Sequence, residues 1–341
     1  MFYTFLTKKT PFLLKTYNTP YTITDNHKSR KFNSLEGLNI RKFKGIYTSL
    51  LTPFNEQLEV DLDTLKSQIK FVIDNGINGI VTGGVNGEFS SMTMKERKSI
   101  IKTSIATVKN KIPVIAGAYS NSYKESIELI NYSEEIGATA AIITRPFFFR
   151  KPTEEGLYDY FSKIFDEIKK YPIFLCNVPT YTPMELSIDL ISHLTMKYKN
   201  IAGIKDLSNS TDVILAYSGS FEELSVLVGS DRMVYNGLNA GCDGAVSAIA
   251  NILPDYLLKI FDTYKSGNAD QAWIEQESLI GIRSLMTRFP SRAAQKFIFS
   301  RISGKESYVR PPLRNLTNEE REALLIILSE HGLTFGPELL V

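Results

Sequence analysis

Eight short apolar segments, most of them followed by an amphipathic stretch of helical period, predict a (β/α)8 barrel. The segments are apolar nearly throughout, as expected of parallel strands that are buried on both faces. A doubly wound open sheet is the alternative, but no G-x-G-x-x-G motif opens a first helix. The nearest candidate, GGVNGEF at 83–89, has a different glycine spacing and follows the second segment. The barrel is therefore the favoured fold.

The predicted strands are Gly45–Leu51, Gly79–Thr82, Pro113–Gly117, Ala140–Thr144, Ile173–Cys176, Ile201–Lys205, Leu224–Val228 and Gly244–Ser247. Between the first two, the stretch DLDTLKSQIKFVIDNG places Leu62, Leu65, Ile69 and Val72 on one helical face and ends at Gly76. Three further helix starts have the S/T-x-x-E spacing of a capping box: Thr93 with Glu96, Ser122 with Glu125, and Thr317 with Glu320. Gly137 and Gly219 are predicted to end helices.

Composition changes divide the chain into a leader at 1–43, the barrel at 44–250 and a C-terminal helical subdomain at 251–341. The first 33 residues of the leader are basic and rich in hydroxyl residues, and Asp25 is their only acid. That composition favours a mitochondrial transit peptide, with a tail on a cytoplasmic protein as the alternative. In the C-terminal part, Pro290, Pro311 and Pro312 divide the helical pattern into segments.

Several functional classes are disfavoured. The 341 residues carry a formal net charge of only +2 and no long basic stripe, so a nucleic-acid partner is not expected. No apolar run is long enough for a membrane span. The two cysteines, Cys176 and Cys242, and the histidines at 27, 193 and 331 form no metal-binding spacing. We therefore expect neither a metal nor another cofactor.

The sixth strand, IAGIK, ends on a charged residue, Lys205. In a (β/α)8 barrel the C-terminal ends of the strands face the active-site mouth. Burial there would disfavour the ammonium form, lower the pKa and leave a neutral amine able to attack a carbonyl carbon. The alternative is a rim lysine paired with Asp206 or Glu88.

The motifs together resemble the dihydrodipicolinate synthase / N-acetylneuraminate lyase family of Schiff-base aldolases. The matching stretches are GIYTSLLTPF, GGVNGEFSSMT, IPVIAG, EEGLYDYF, NVP, GIKD and RPPL, in this order along the chain. NGEF and GIKD are most similar to 4-hydroxy-2-oxoglutarate aldolase. The resemblance implies an imine between Lys205 and a small 2-oxo acid, and a homotetramer built as a dimer of dimers.

The resemblance also implies where the substrate binds. The loop after strand 2, with Val85 and Asn86, corresponds to the family's carboxylate-binding loop. The motif VGSDR after strand 7 supplies Gly229 and Asp231, and strand 8 ends at Ser247. These residues are predicted to bind the substrate.

This sequence departs from the family's proton relay. Cys176 occupies the position of a tyrosine that shuttles the proton during carbon–carbon cleavage. Val85 replaces a hydroxyl residue, and the PFFFR stretch places Phe148 where members often carry a tyrosine. Cys176 itself, or Tyr181 five residues later, is predicted to replace the missing groups. Synthase members place an arginine at the Tyr181 position to hold a second carboxylate, and its absence argues against lysine biosynthesis.

Three functions remain open. The favoured one is a lyase that cleaves a small 4-hydroxy-2-oxo acid or related 2-oxo sugar acid, by retro-aldol reaction, to pyruvate or glyoxylate plus an aldehyde. The second is a degenerate barrel that binds a 2-oxo acid or a protein partner without turnover. The third is a Schiff-base dehydratase that uses a different proton donor.

Overall fold

The computed structural model describes residues 43–182 and 184–335, so the predicted leader lies outside the described residues except for Phe43. The strands are β1 Gly45–Ser49, β2 Gly79–Thr82, β3 Val114–Gly117, β4 Ala140–Thr144, β5 Ile173–Asn177, β6 Ile201–Asp206, β7 Ser225–Val228 and β8 Gly244–Ser247. All neighbouring pairs are parallel, and β8 pairs with β1 to close the barrel. The (β/α)8 prediction is confirmed.

The helices are α1 Leu62–Asp74, α2 Met94–Val108, α3 Tyr123–Glu135, α4 Glu154–Glu167, α5 Ile188–Lys197, α6 Thr211–Ser220, α7 Val234–Asn239, α8 Pro254–Lys265, α9 Ala269–Met286, α10 Ser291–Ser303 and α11 Asn318–Glu330. Helices α1–α8 each follow a strand. Over the described part of the chain, no helix is both long and apolar enough to span a membrane.

Alternation along the strands separates two apolar cores. Outward residues such as Ile80 and Ile143 pack with the helices. Inward residues form a second cluster: Phe43, Tyr47, Val81, Ile115, Tyr119, Ala140, Ile142, Phe174, Cys176, Val178, Ala202, Leu227 and Val246. Phe43, the last residue of the predicted leader, belongs to this cluster and donates its N–H to Ser225 Oγ at 2.8 Å. This residue therefore packs as part of the barrel interior. The interior is therefore a packed core rather than a pore.

A bulge in β6 changes which side chains face inward. Ile173 pairs with Ile201, but the next residue, Phe174, pairs with Gly203, leaving Ala202 as an extra residue. A side chain on Gly203 would collide with the Phe174 ring, so the bulge requires glycine there. Because a bulge shifts the two-residue alternation by one, Lys205 lies in register with Cys176 and Leu227, whose side chains face inward.

The helix-end predictions are mostly confirmed. Thr93 and Thr317 form capping boxes with Glu96 and Glu320. Ser122 caps α3, but the Glu125 carboxylate accepts a hydrogen bond from Ser120 instead of completing a box. Gly137 follows α3 with a positive φ of +88°. The prediction for Gly219 is wrong because α6 continues through it to Ser220, and Phe221 is the cap.

The C-terminal helices pack directly on the barrel helices. Helix α8 contacts β1 and α9, and α10 contacts α1. At the start of this region Asn251 is buried, donates to the Ser49 carbonyl at 2.8 Å and accepts from the Gln68 amide at 2.9 Å. The separation into a barrel at 44–250 and a subdomain at 251–341 stays a prediction.

Candidate active site

Lys205 lies in the barrel at the C-terminal end of β6. It is in register with Cys176 on β5 and Leu227 on β7, and only 3% of its surface is exposed. None of the ion pairs or hydrogen bonds within the described residues involves its amine. Burial lowers the pKa of Lys205, and the neighbouring Cys176 and Asp231 oppose that shift. A buried amine of lowered pKa is suited to nucleophilic attack on a carbonyl carbon.

The two predicted ion-pair partners of Lys205 are occupied elsewhere. Asp206 accepts hydrogen bonds from Asn177 Nδ2 and Ser208 Oγ, both at 2.7 Å. Glu88 forms an ion pair with Lys296 of α10 at 2.5 Å. The rim-lysine alternative is therefore wrong, and Glu88 orders its loop.

The loop after β2 presents backbone donors. Asn86 donates its side-chain amide to the Ser49 carbonyl at 2.9 Å, which anchors the loop to β1. The Gly87 N–H donates a hydrogen bond to the Gly84 carbonyl at 3.1 Å. The N–H groups of Val85 and Asn86 donate no hydrogen bond within the described residues, so both are available to a carboxylate.

Cys176 is fully buried beside a tyrosine that the sequence analysis did not identify. Tyr119 lies two residues beyond β3, and its ring belongs to the same inward cluster as Cys176. Its hydroxyl contacts the Cys176 thiol, and burial raises the pKa of both groups. The Tyr119 oxygen makes no hydrogen bond of normal length and angle within the described residues.

Asp231 and Ser247, two of the predicted substrate-binding residues, contact each other. Ser247 Oγ donates to Asp231 Oδ1 at 2.6 Å, and Arg283 of α9 pairs with Asp231 Oδ2 at 3.2 Å. Gly229 donates its N–H to the Asp206 carbonyl at 2.5 Å, and a side chain there would collide with Leu207. Asp231 is close enough to influence Lys205, whereas Gly229 has a packing role.

Tyr181 does not turn into the barrel. Its side chain is 53% exposed, and its hydroxyl accepts a long hydrogen bond from Arg292 of α10 at 3.5 Å. The same guanidinium donates to the Val85 carbonyl at 3.1 Å. Tyr181 is therefore poorly placed to replace the phenol missing at Cys176. Arg292 instead joins the loop after β2 to the loop after β5.

The segment after β4 carries an unpaired cation and exposed aromatics. Arg145 is 1% exposed, and its guanidinium nitrogens have no hydrogen-bond partner within the described residues. Phe148 is 82% exposed and Phe149 57% exposed. The backbone of this turn is fixed by Asn121, whose side-chain oxygen accepts the N–H groups of Phe147 and Phe148. Phe148 supplies no hydroxyl to the site.

The structure thus brings together Lys205, Cys176, Asp231, Ser247 and the loop at Val85 and Asn86. Sequence reasoning missed two residues, Tyr119 and Arg292. Inward alternation through Ile115, Gly117 and Tyr119 was a readable signal for the first, whereas nothing in the local sequence of α10 indicates the loop that Arg292 contacts. Within the described residues, no group of three His, Cys, Asp or Glu side chains could hold a metal ion.

Comparison with known proteins relates this geometry to one family. Residues 42–331 match the model of the Dihydrodipicolinate synthetase family. A 4-hydroxy-tetrahydrodipicolinate synthase of Methanococcus aeolicus is 33% identical over 294 residues, covering 85% of this chain and 99% of the relative.

Solved structures give the same result. Dihydrodipicolinate synthase from Aquifex aeolicus is 27% identical and superposes with a TM-score of 0.81, over 86% of this chain and 100% of that one. YagE, a prophage protein of the dihydrodipicolinic acid synthase family from E. coli K12, was solved in complex with pyruvate. It is 27% identical with a TM-score of 0.80, over 85% of this chain and 99% of that one.

Proposed function

The chain belongs to the dihydrodipicolinate synthetase family of carbon–carbon lyases, and on that premise we propose that it cleaves a small 4-hydroxy-2-oxo acid through an imine on Lys205. The observation that carries the proposal is the buried amine of Lys205, unpaired within the described residues, at the end of β6. A carbonyl compound is the chemical partner that such an amine can engage covalently. The products would be pyruvate or glyoxylate and an aldehyde.

The surrounding groups support each step of the proposed reaction. The free N–H groups of Val85 and Asn86 would hold the 2-oxo acid carboxylate and so place C2 beside Lys205. Attack by the neutral amine and loss of water give an iminium ion. Cleavage of the C3–C4 bond then sends its electron pair into the iminium and leaves an enamine, while the 4-hydroxyl becomes the aldehyde. The Asp231–Ser247 pair lies within the same mouth and would accept hydrogen bonds from substrate hydroxyls.

Pyruvate release tests the proposal. The purified protein would be assayed with 4-hydroxy-2-oxoglutarate, 4-hydroxy-2-oxopentanoate and a 2-oxo-3-deoxy sugar acid, with pyruvate and glyoxylate measured by coupled enzymes. We expect turnover of at least one. Reducible adduct formation without any turnover would instead favour the binding-only function, and release of water without carbon–carbon cleavage would favour the dehydratase.

One observation favours a second function, condensation in the sense of the synthases for which the relatives are named. The resemblance to such synthases implies an arginine at the position that Tyr181 occupies here. Here Arg292 brings a guanidinium to the Tyr181 hydroxyl from α10 instead. Its Nε and Nη2 donate to the Val85 carbonyl, and the remaining N–H groups would donate to a carboxylate on the second substrate. The same assay run from pyruvate and an aldehyde carboxylate tests this direction.

Replacing Arg292 with glutamine is expected to discriminate between substrates. Loss of a charge-assisted hydrogen bond is worth roughly 1.5–3 kcal/mol, so KM for 4-hydroxy-2-oxoglutarate should rise about 10- to 100-fold. KM for 4-hydroxy-2-oxopentanoate, whose aldehyde half has no carboxylate, should change much less. The exposed Arg150 is the matched control, since Arg150→Gln removes a positive charge near the mouth without touching the loop. Equal effects of Arg292→Gln on both substrates would assign Arg292 to loop structure alone.

We also propose a homotetramer and a mitochondrial destination, with the cytoplasm as the alternative. The exposed Phe148 and Phe149 rings, 6.2 Å apart, support coverage of this edge by another subunit. The basic leader at 1–43 supports the destination.

A further inference from the structure

Tyr119 is a barrel residue whose hydroxyl is used for no structural purpose. It is fully buried, and its oxygen lacks a normal hydrogen-bond partner within the described residues. Buried tyrosine hydroxyls usually have such a partner. Tyr171, Tyr198 and Tyr217 follow that rule: their hydroxyls donate to Ala138, Asp166 and Leu186. The exception at Tyr119 therefore needs a reason.

The backbone holds Tyr119 firmly on the inner side of the mouth. The preceding residue, Ala118, donates its N–H to the Ile142 carbonyl at 2.9 Å. The Tyr119 carbonyl accepts from the Arg97 guanidinium at 2.8 Å, and Phe89 packs on the ring with centroids 5.1 Å apart. These contacts hold the Tyr119 ring within the inward cluster of the barrel.

The phenol lies between two parts of the site. An ideal Cβ on Gly84 would be 3.8 Å from Tyr119 Cε2, so the ring borders the start of the loop that presents Val85 and Asn86. At its other end the hydroxyl contacts the Cys176 thiol. Cys176 is in turn in register with Lys205. The order across the site is loop, phenol, thiol and amine.

We propose that the Tyr119 hydroxyl and the Cys176 thiol together form the proton relay that serves the Lys205 imine, replacing the phenol missing from β5. This inference rests on the proposed function. The phenol comes from the end of β3 instead of β5 and lies beside Cys176, the β5 residue at the position of the missing phenol.

Every proton that the relay gives or takes during the reaction can be accounted for. Because burial raises the pKa of Tyr119 and Cys176, both start protonated and neutral. After Lys205 adds to C2, the relay gives one proton to the hydroxyl of the carbinolamine, which leaves as water. The relay is then anionic beside the new iminium cation, with the phenol donating a hydrogen bond to the thiolate.

That anion takes the proton of the 4-hydroxyl as the C3–C4 bond breaks. It then returns the proton to C3 of the enamine, which restores the iminium. During hydrolysis of the imine, water supplies the proton that returns the relay to its neutral state. No oxidant, reductant or other reactant is needed.

Two measurements on the same samples test the relay. Cyanoborohydride reduction with pyruvate, followed by intact mass, reports imine formation on Lys205. Exchange of the pyruvate methyl protons with D2O, followed by NMR, reports proton transfer at C3. Tyr119→Phe should keep the adduct but slow the exchange about 10²- to 10⁴-fold, the size expected for a positioned acid–base group. Tyr171→Phe, at the other end of the barrel, removes a buried hydroxyl that has a structural partner and should exchange at the wild-type rate.

A second variant keeps the test independent of folding. Site-specific 3,5-difluorotyrosine at position 119 keeps the shape of the ring and lowers the pKa of the phenol. The alkaline limb of the exchange profile should move to lower pH, which a purely structural tyrosine would not cause. Exchange by Tyr119→Phe at the wild-type rate, or wild-type adduct formation without catalysed exchange, would overturn the relay while leaving the imine intact. Absence of an adduct in the wild type would overturn the proposed function and the relay with it.

Discussion

Replacing Lys205 with methionine is expected to abolish the reducible pyruvate adduct and to lower turnover by about 10⁵–10⁶-fold, the size of effect seen when an enzyme loses its nucleophile. The physical reason is that no other amine in the described barrel interior lies at the end of a strand beside Cys176 and the loop after β2. Intact mass after reduction would show the wild type with the added pyruvyl group and the variant without it.

Methionine is the preferred substitution because it separates chemistry from folding. Lys205 has no ion pair within the described residues and is 3% exposed, so its ammonium form is costly in the folded state. An apolar chain of similar length should leave the urea midpoint unchanged or raise it. A variant that folds like the wild type and still traps pyruvate would show that another lysine forms the adduct.

The pH dependence of adduct formation gives an independent check on the wild type. Only the neutral amine attacks, so the rate rises with pH as Lys205 loses its proton. Because burial lowers the pKa of Lys205 from its ordinary value of 10.5, the rate should level off below that pH. A plateau at or above pH 10.5 would indicate an exposed, ordinary lysine.

The sequence was sufficient for the barrel because its signals are local. Apolar segments, capping residues and glycine stops each depend on a few neighbouring residues, and eight repeats of the same pattern favour a closed barrel over an open sheet. The orientation of Lys205 is different. Strict alternation from the outward residue Ile201 would turn Lys205 outward, and only the bulge at Ala202 turns it inward. That bulge depends on the Phe174 ring of the neighbouring strand, which local patterning does not reveal.

The remaining site residues depend on contacts between distant parts of the chain. Tyr181 was the predicted replacement phenol because it is near Cys176 in sequence, yet Arg292 holds its hydroxyl at the rim. Tyr119 is far from Cys176 in sequence but adjacent to it in space, because inward residues of different strands meet in the barrel. Alternation along β3 could indicate that Tyr119 faces inward, but its contact with Cys176 could be recognised only from the strand register of the folded barrel.

The C-terminal helices support the substrate loop through a buried ion pair. Lys296 of α10 and Glu88 of the loop after β2 have side chains that are each 1% exposed. Lys296 also donates to the Tyr308 carbonyl at 2.6 Å, and its ammonium lies 4.3 Å from the Phe54 ring centre. The second Glu88 oxygen accepts the Arg310 N–H at 3.1 Å. Glu88 follows Val85 and Asn86 closely, so its contacts with Lys296 of α10 and with the Arg310 backbone fix the position of their N–H groups.

Changing Glu88 to glutamine should therefore produce the largest stability loss of any single polar substitution at the site. Removing one charge from a buried pair leaves the other uncompensated and costs about 3–5 kcal/mol. Urea unfolding should show a lower midpoint with an unchanged slope. The matched control is Glu128→Gln, which breaks the more exposed Lys98–Glu128 pair at 2.6 Å and should cost less than about 1 kcal/mol.

The double variant Glu88→Gln/Lys296→Met connects stability with function. Removing both charges eliminates the uncompensated cation, so part of the lost unfolding free energy should return. The ion pair between α10 and the loop after β2 is still absent, however, so the N–H groups of Val85 and Asn86 are held less firmly. The concentration of pyruvate needed for half-maximal trapping should consequently remain raised even where stability recovers. Recovery of both quantities together would mean that the pair stabilises the fold without positioning the loop, whereas recovery of stability alone places the C-terminal helices among the elements that build the carboxylate site.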